Sequence, residues 1–350
     1  MPGLLLLTAL AVASDLPDTP YDRGRFSISV ANDDFGSDVD EAFTSGVEVI
    51  VRVPAERHSL SGLSPELDRR RVREWWGLVL GQEIYTPALL QVTDLDILRN
   101  DRRYAGWLYL GIQGELIYEG SPFLAEGYAH LEARLITGST GPRTGTQSLQ
   151  RYWHAFLRDI LNRQRLPEDP KGWGVYQVPN HWGVSLEVSH EAEIFRATLE
   201  DRGLFKAIGS QLGVRMASLA EARVGNMWID GGVGATLRAG LMPEVVFDEF
   251  SLPAGLADTS ALPVAAYGFV VGRLSASAYN ALLDGPPGAE GPWPERNPTL
   301  ARLEAGFVLR FAAVEFSFRH VTLSPDLAAR PPGGVWIQNW GDITLSFLFY

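Results

Sequence analysis

Residues 123–135 read FLAEGYAHLEARL, and the alternation in this stretch decides the fold. One parity runs Phe123, Ala125, Gly127, Ala129, Leu131, Ala133, Leu135; the other carries Glu126, Tyr128, His130, Glu132 and Arg134. Successive side chains of a strand point to opposite faces, so the stretch is a strand with one apolar and one charged face. The pattern recurs. Val47, Val49, Val51 and Val53 stand against Glu48 and Arg52, and Leu108, Leu110, Ile112, Leu116 and Tyr118 against Gln113 and Glu115. Near the end, Val314, Phe316 and Phe318 oppose Glu315, Ser317 and Arg319. These segments exceed the about five or six residues usual in a soluble sandwich and approach the length a tilted membrane strand needs. The apolar face then meets lipid, and the charged face pairs with itself inside a lumen.

Working outward, strands are expected at 25–32, 43–54, 74–86, 103–119, 122–138, 182–196, 204–223, 230–240, 263–280, 299–311, 313–322 and 335–350. The fold class is therefore all-β, a transmembrane antiparallel barrel of about 12 strands with its last strand ending Phe347-Leu348-Phe349-Tyr350. Mean hydropathy near zero with 46% hydrophobic residues fits strands that are apolar on one side only. The longest apolar run, Leu4 to Ala13, is too short to span a bilayer as a helix. It ends in Ala11-Val12-Ala13, a small-residue cleavage site, so residues 1–14 read as a signal peptide and 15–350 as the barrel. A net charge of −12 argues against a nucleic-acid partner. The absence of cysteine excludes disulfides, thiol nucleophiles and cysteine metal sites. The chain is expected in a Gram-negative outer membrane, delivered by the barrel-assembly machinery, in contact with outer-membrane lipids and monomeric.

With an even number of strands and periplasmic termini, the odd-to-even connections face outside and the even-to-odd connections should be short. Gly120-Ser121-Pro122, Glu200 to Gly203 and the region of Ala312 agree, whereas 55–73 and 241–262 are longer than a turn requires. Four unusual polar stretches fall on the outer rim: Asn32-Asp33-Asp34, Thr44-Ser45-Gly46, Asp101 to Trp107, and 139–181. Within the last, 146–163 changes to helical spacing. Leu149, Tyr152, Trp153, Phe156 and Ile160 make an apolar stripe, and Gln147, Gln150, His154 and Arg158 a polar one. The plain expectation for such a helix is an apolar face packed on the barrel rim and a solvated His154; a catalytic His154 is the alternative.

These pieces resemble the outer-membrane lipid A 3-O-deacylases of the LpxR type. The resemblance rests on Asn32-Asp33, Thr44-Ser45-Gly46, Gly81-Gln82 with Tyr85-Thr86-Pro87, and Asp101-Arg102-Arg103-Tyr104-Ala105-Gly106-Trp107. Gly141-Pro142, Gln150-x-x-x-His154 and Gly172-Trp173 with Gln177 follow in order. The pieces cover roughly the first half of the chain after the signal. The resemblance implies a twelve-stranded barrel that removes the 3′-linked acyloxyacyl chain of lipid A, in lipopolysaccharide, in a calcium-dependent hydrolysis. It implies His154 as general base on a water, Asn32 and Thr44 as further catalytic residues, and Asp33 at a Ca2+ site. It implies that Arg102, Arg103, Tyr104 and Gln150 bind substrate. The sequence departs from the family pattern at Arg103, where proline is usual, and at Arg143, where a small polar residue is. The acidic residue expected after Gln177 is replaced by Asn180 or His181, leaving Glu187, Glu191 and Glu193 as substitutes.

Two other functions compete. A non-catalytic barrel, either a small pore or a structural protein, accounts for the lumenal charges equally well. Another outer-membrane esterase or phospholipase would need a serine nucleophile, and no Gly-x-Ser-x-Gly elbow occurs.

Overall fold

The computed structural model describes residues 24–35, 42–55, 61–124, 126–161, 170–199, 210–243, 245–247, 250–252, 264–330, 334 and 337–349. The expected signal peptide lies outside these residues. Twelve antiparallel strands close a barrel: β1 (Gly24–Asn32), β2 (Ala42–Pro54), β3 (Arg71–Thr86), β4 (Ala105–Glu119), β5 (Tyr128–Thr140), β6 (Trp182–Thr198), β7 (Gln211–Gly225), β8 (Trp228–Met242), β11 (Val264–Asn280), β12 (Thr299–Phe311), β13 (Val314–Leu323) and β14 (Gln338–Phe349). A two-stranded hairpin, β9 (Val245–Phe247) and β10 (Phe250–Leu252), stands apart from the wall. Each wall strand pairs with the next, β8 with β11, and β14 closes on β1. Full closure leaves no edge strand, so every wall strand has partners on both sides without water. The order and parity are those read from the alternation. The fifth strand is displaced: it starts at Tyr128, because Gly120 N–H bonds to Gly127 O (2.7 Å) and closes a turn before the strand begins.

The two faces differ as the alternation requires. Leu78, Leu80, Leu108, Leu110, Ile112 and Leu135 are exposed on the outside and form a lipid-facing band. The lumenal face is charged and paired. Arg25 and Arg310 each hold Glu315 at 2.5 Å, Arg52 pairs with Glu115, and Arg238 pairs with Glu191. Glu304 is met by Arg302 at 3.0 Å, Arg319 at 3.1 Å and Arg273 at 3.4 Å. A charge buried without a partner costs several kcal/mol, so this pairing is a condition of burying charges on the lumenal face.

The long 241–262 connection has a structural reason. Its hairpin enters the lumen at the periplasmic end and touches opposite walls. Phe247 and Val245 pack with Ile117 beside Val72, Trp75 and Tyr128, and Phe247 stacks on His130 at 5.7 Å. Val246 packs with Met242, Ala265, Tyr267 and Val308 on the other side. The 55–73 connection likewise carries a short helix, α1 (Pro65–Arg70). On the outer rim stand the one-turn helix α2 (Leu95–Leu98) and the amphipathic helix α3 (Thr146–Leu161).

Candidate functional site

The outer ends of β1 to β3 turn polar on the face that is apolar lower down. On β3, Trp76, Leu78 and Leu80 share one parity with Gln82, Ile84 and Thr86, and Ile84 and Thr86 are buried although they face away from the lumen. What buries them is the β5–β6 connection. Its helix α3 lies outside the wall against β3 and β4. Gly106 of β4 makes the approach possible: a Cβ there would come within 3.0 Å of the Thr144 and Thr146 side chains. Gln82 Nε2 donates to Thr144 O (3.0 Å), tying the start of this connection to the wall.

Helix α3 reverses the plain expectation from its two stripes. Leu149, Tyr152 and Phe156 are exposed, Tyr152 to 69%, while Gln150 and His154 are each only 1% exposed. Gln150 and His154 thus face the barrel wall while Leu149, Tyr152 and Phe156 face out; Gln147 of the polar stripe is exposed and Trp153 of the apolar one is half-buried. The physical reason is the solvent: beside this rim the medium is acyl chain, so the outer face is the apolar one.

Asn32, at the end of β1, is buried and donates from Nδ2 to Thr44 O (2.9 Å). Asp33 follows in a one-turn 3-10 helix and is also buried. Thr44 sits at a β-bulge: Phe43 pairs with Tyr85 and Ser45 with Ile84, which leaves Thr44 out of the ladder. A bulge re-aims the side chain it carries. Here it turns Thr44 onto Thr86, with the two hydroxyls 2.6 Å apart.

A second group is built around Trp173. Its Nε1 donates to Gln150 Oε1 (2.7 Å), and its ring packs on Tyr104 at a centroid distance of 4.9 Å. Tyr104, fully buried, donates its hydroxyl to Leu90 O (2.9 Å) and clusters with Ile84, Leu90 and Trp173. The loop is pinned by backbone bonds, Tyr104 N to Tyr176 O (3.0 Å) and Val178 N to Tyr104 O (2.8 Å). Ile84 and Thr86 are alternate residues on one face of β3, so the Asn32–Thr44–Thr86 group and the Tyr104–Trp173–Gln150 group share a wall strand. His154 lies one turn after Gln150 on the same buried face of α3.

Two expected substrate ligands are held elsewhere. Arg102 is buried and paired with Asp326, which lines a cavity of about 430 Å³ at the outer mouth of the lumen. Arg103 lies over the rings of Trp293 (4.1 Å) and Tyr176 (5.0 Å) and donates to Pro292 O (3.0 Å), latching three connections together. Beside them Asp101 accepts from the backbone N–H groups of Ala88 (2.8 Å) and Arg102 (2.7 Å). Burial outweighs these bonds and pushes its carboxyl up to about 6. Tyr104 serves as the platform for Trp173.

The substitute carboxylates are also displaced. Glu187, Glu191 and Glu193 stand on the lumenal parity of β6, with Glu191 held by Arg238 and Glu193 by Arg196 and Arg215. Asn180 accepts from Arg143 N (2.9 Å), and His181 bonds Asn226 at 3.1 Å. Among the described residues, a group of three possible metal-ligating side chains occurs in the lumen, Glu115, His130 and Glu132, away from Asp33. Thr86, Gln82, Thr146 and Trp173 were not singled out as site residues by sequence reasoning. Thr86, Gln82 and Trp173 stand inside the motif fragments quoted above, which is the signal that could have found them.

No curated protein is similar enough in sequence to stand as a relative. Among solved structures, LpxR from Salmonella typhimurium superposes with a TM-score of 0.66 at 17% identity, covering 93% of this chain and 100% of that one. The translocator domain of autotransporter NalP from Neisseria meningitidis reaches a TM-score of only 0.35 at 8% identity, over 99% of this chain and 95% of that one. The family described as outer membrane protein LpxR matches over residues 2–349. A closed twelve-stranded barrel with a family match over nearly its whole length places the chain in the LpxR family of outer-membrane proteins.

Proposed function

We propose that the protein is a lipid A deacylase that hydrolyses the 3′-linked acyloxyacyl ester at the outer leaflet. The observation that carries this reading is the location of the buried polar cluster. It lies on the lipid-facing side of the wall at the outer rim, beneath a helix that turns Gln150 and His154 inward. A substrate held in the leaflet reaches such a site laterally, without passing the lumen. The alternative of a small pore finds less support, because paired charges cross the lumen and a hairpin occupies its periplasmic end.

In this reading His154 takes a proton from water, whose oxygen attacks the ester carbonyl carbon. The C–O bond to the sugar then breaks, and His154 returns the proton to the sugar oxygen. A neutral imidazole suits both transfers because its ordinary pKa lies near working pH. Thr44, fixed by its bulge and by Thr86, lines the reacting side. Asn32, Asp33, Thr44 and Thr86 are an all-oxygen set in a chain without cysteine, which fits a hard divalent cation such as calcium. Asp33 with Asn32 would hold it, and when bound it supplies positive charge beside the ester carbonyl.

The test is expression in an outer membrane with fully acylated lipid A, with and without chelator. Mass spectrometry should show loss of one acyloxyacyl group, abolished by His154→Ala in a folded barrel. Unchanged lipid A with folded wild-type protein and calcium present would sink the reading.

A further inference from the structure

On the buried face of α3, the Gln150 Nε2 N–H group lacks an acceptor among the described residues. The Gln150 amide is not free to choose its orientation. Indole Nε1–H is a donor only, so the atom 2.7 Å from Trp173 Nε1 is the Gln150 carbonyl oxygen. The amide nitrogen therefore points the other way. Trp173, 1% exposed, is itself packed on Tyr104, and the backbone beside it is close as well: a Cβ at Gly172 would collide with the Tyr104 ring. A buried donor without a partner is costly and persists where a ligand completes it. The unpartnered group is a donor, so the missing partner is an acceptor. His154, four residues on, is the neighbour of Gln150 on the helix face.

We infer that Gln150 Nε2 donates to the carbonyl oxygen of the substrate ester, and that Trp173 is the positioning residue that keeps this N–H aimed at it. The inference rests on the hydrolase reading above and adds a protein donor for the developing oxyanion. As the water oxygen bonds to the carbonyl carbon, the C=O electron pair moves to oxygen, and that oxygen accepts the Gln150 N–H more strongly than the ester did. When the pair returns, the bond to the sugar oxygen breaks and that oxygen receives the proton from His154. Gln150 keeps both its protons throughout, and nothing is oxidised or reduced.

The test uses full-length protein in outer membranes. Gln150→Glu keeps an oxygen for Trp173 but removes the donor; Gln150→Met removes it without adding charge. Both should lower kcat by about 10²–10³-fold with KM changed only a few-fold, the effect of losing one oxyanion donor. Trp173→Phe should lower kcat less, about tenfold, with KM unchanged, since the amide keeps its donor but loses its fixed orientation. Binding of a tetrahedral phosphonate analogue of the ester gives a readout independent of turnover. Wild type should bind it more tightly than the matching ether, and both Gln150 variants should lose that preference. Wild-type kcat in Gln150→Met, or an unchanged phosphonate preference, overturns the inference. Failure of the hydrolase reading is distinct, because wild-type protein then leaves lipid A intact.

Discussion

The glycine at 106 offers a direct measure of how closely helix α3 must sit. A Cβ built at Gly106 falls within 3.0 Å of Thr146 Oγ1, Thr146 Cγ2 and Thr144 Oγ1, closer than side chains tolerate. Neither threonine can simply rotate away. Thr144 Oγ1 donates to Gly141 O (2.7 Å), and the two hydroxyls are bonded at 2.9 Å. Gly106→Ala therefore pushes back the first turn of α3, and with it the face carrying Gln150 and His154. Restoring ordinary contact takes a displacement of about 1 Å, and under the proposed function such a misplacement of Gln150 and His154 costs about 10²-fold in rate. The barrel itself should hardly notice, because the methyl points away from the lumen and no ladder bond is lost. The assay is the rate of acyloxyacyl release from lipid A by mass spectrometry, beside the heat-modifiable gel mobility that reports a folded barrel. In a Thr144→Ala, Thr146→Ala background the three colliding atoms are gone, so adding Gly106→Ala should cost much less than in wild type. Wild-type activity in Gly106→Ala, or additive losses in the triple variant, would refute the reasoning.

Two further predictions concern the loop and the lumen. The Asp101 carboxyl is raised in the folded protein, so the protonated form is the favoured one and its stabilisation is present at low pH. It is lost as pH rises from about 4 through about 6, by about 3 kcal/mol at most. Hydrogen exchange at the Ala88 and Arg102 amides should therefore speed up over that range in wild type beyond the intrinsic pH effect, and Asp101→Asn should abolish the excess. In the lumen, Phe247→Ala removes a fully buried ring from the cluster with Ile117 and Val245, at a cost of about 3–5 kcal/mol to a hairpin only three residues per strand. Planar-bilayer recordings should show a quiet wild type and channel events in the variant; equal silence in both would mean that other lumenal groups close the barrel.

The sequence by itself determined the wall. Period-two alternation is a local property, and a closed barrel satisfies it strand by strand, so Leu110 against Glu115 or Phe316 against Glu315 could be read without knowing any neighbour. It also marked residues 146–163 as helical, because a 3.6-residue period is equally local. Which stripe of that helix is buried was not legible. That depends on what lies beneath it, the polar outward ends of β1 to β3, and on what lies beyond it, lipid rather than water. Nor could spacing show that the bulge at Thr44 turns its hydroxyl onto Thr86, since a bulge exists only relative to the partner strand. Spacing could not show the partners of Arg102 and Arg103 either, since Asp326 and Trp293 lie some two hundred residues away. The folded barrel alone decided that the candidate site lies on the outside of the wall, because closure brings strands of distant sequence to one rim and leaves lipid on its outer side.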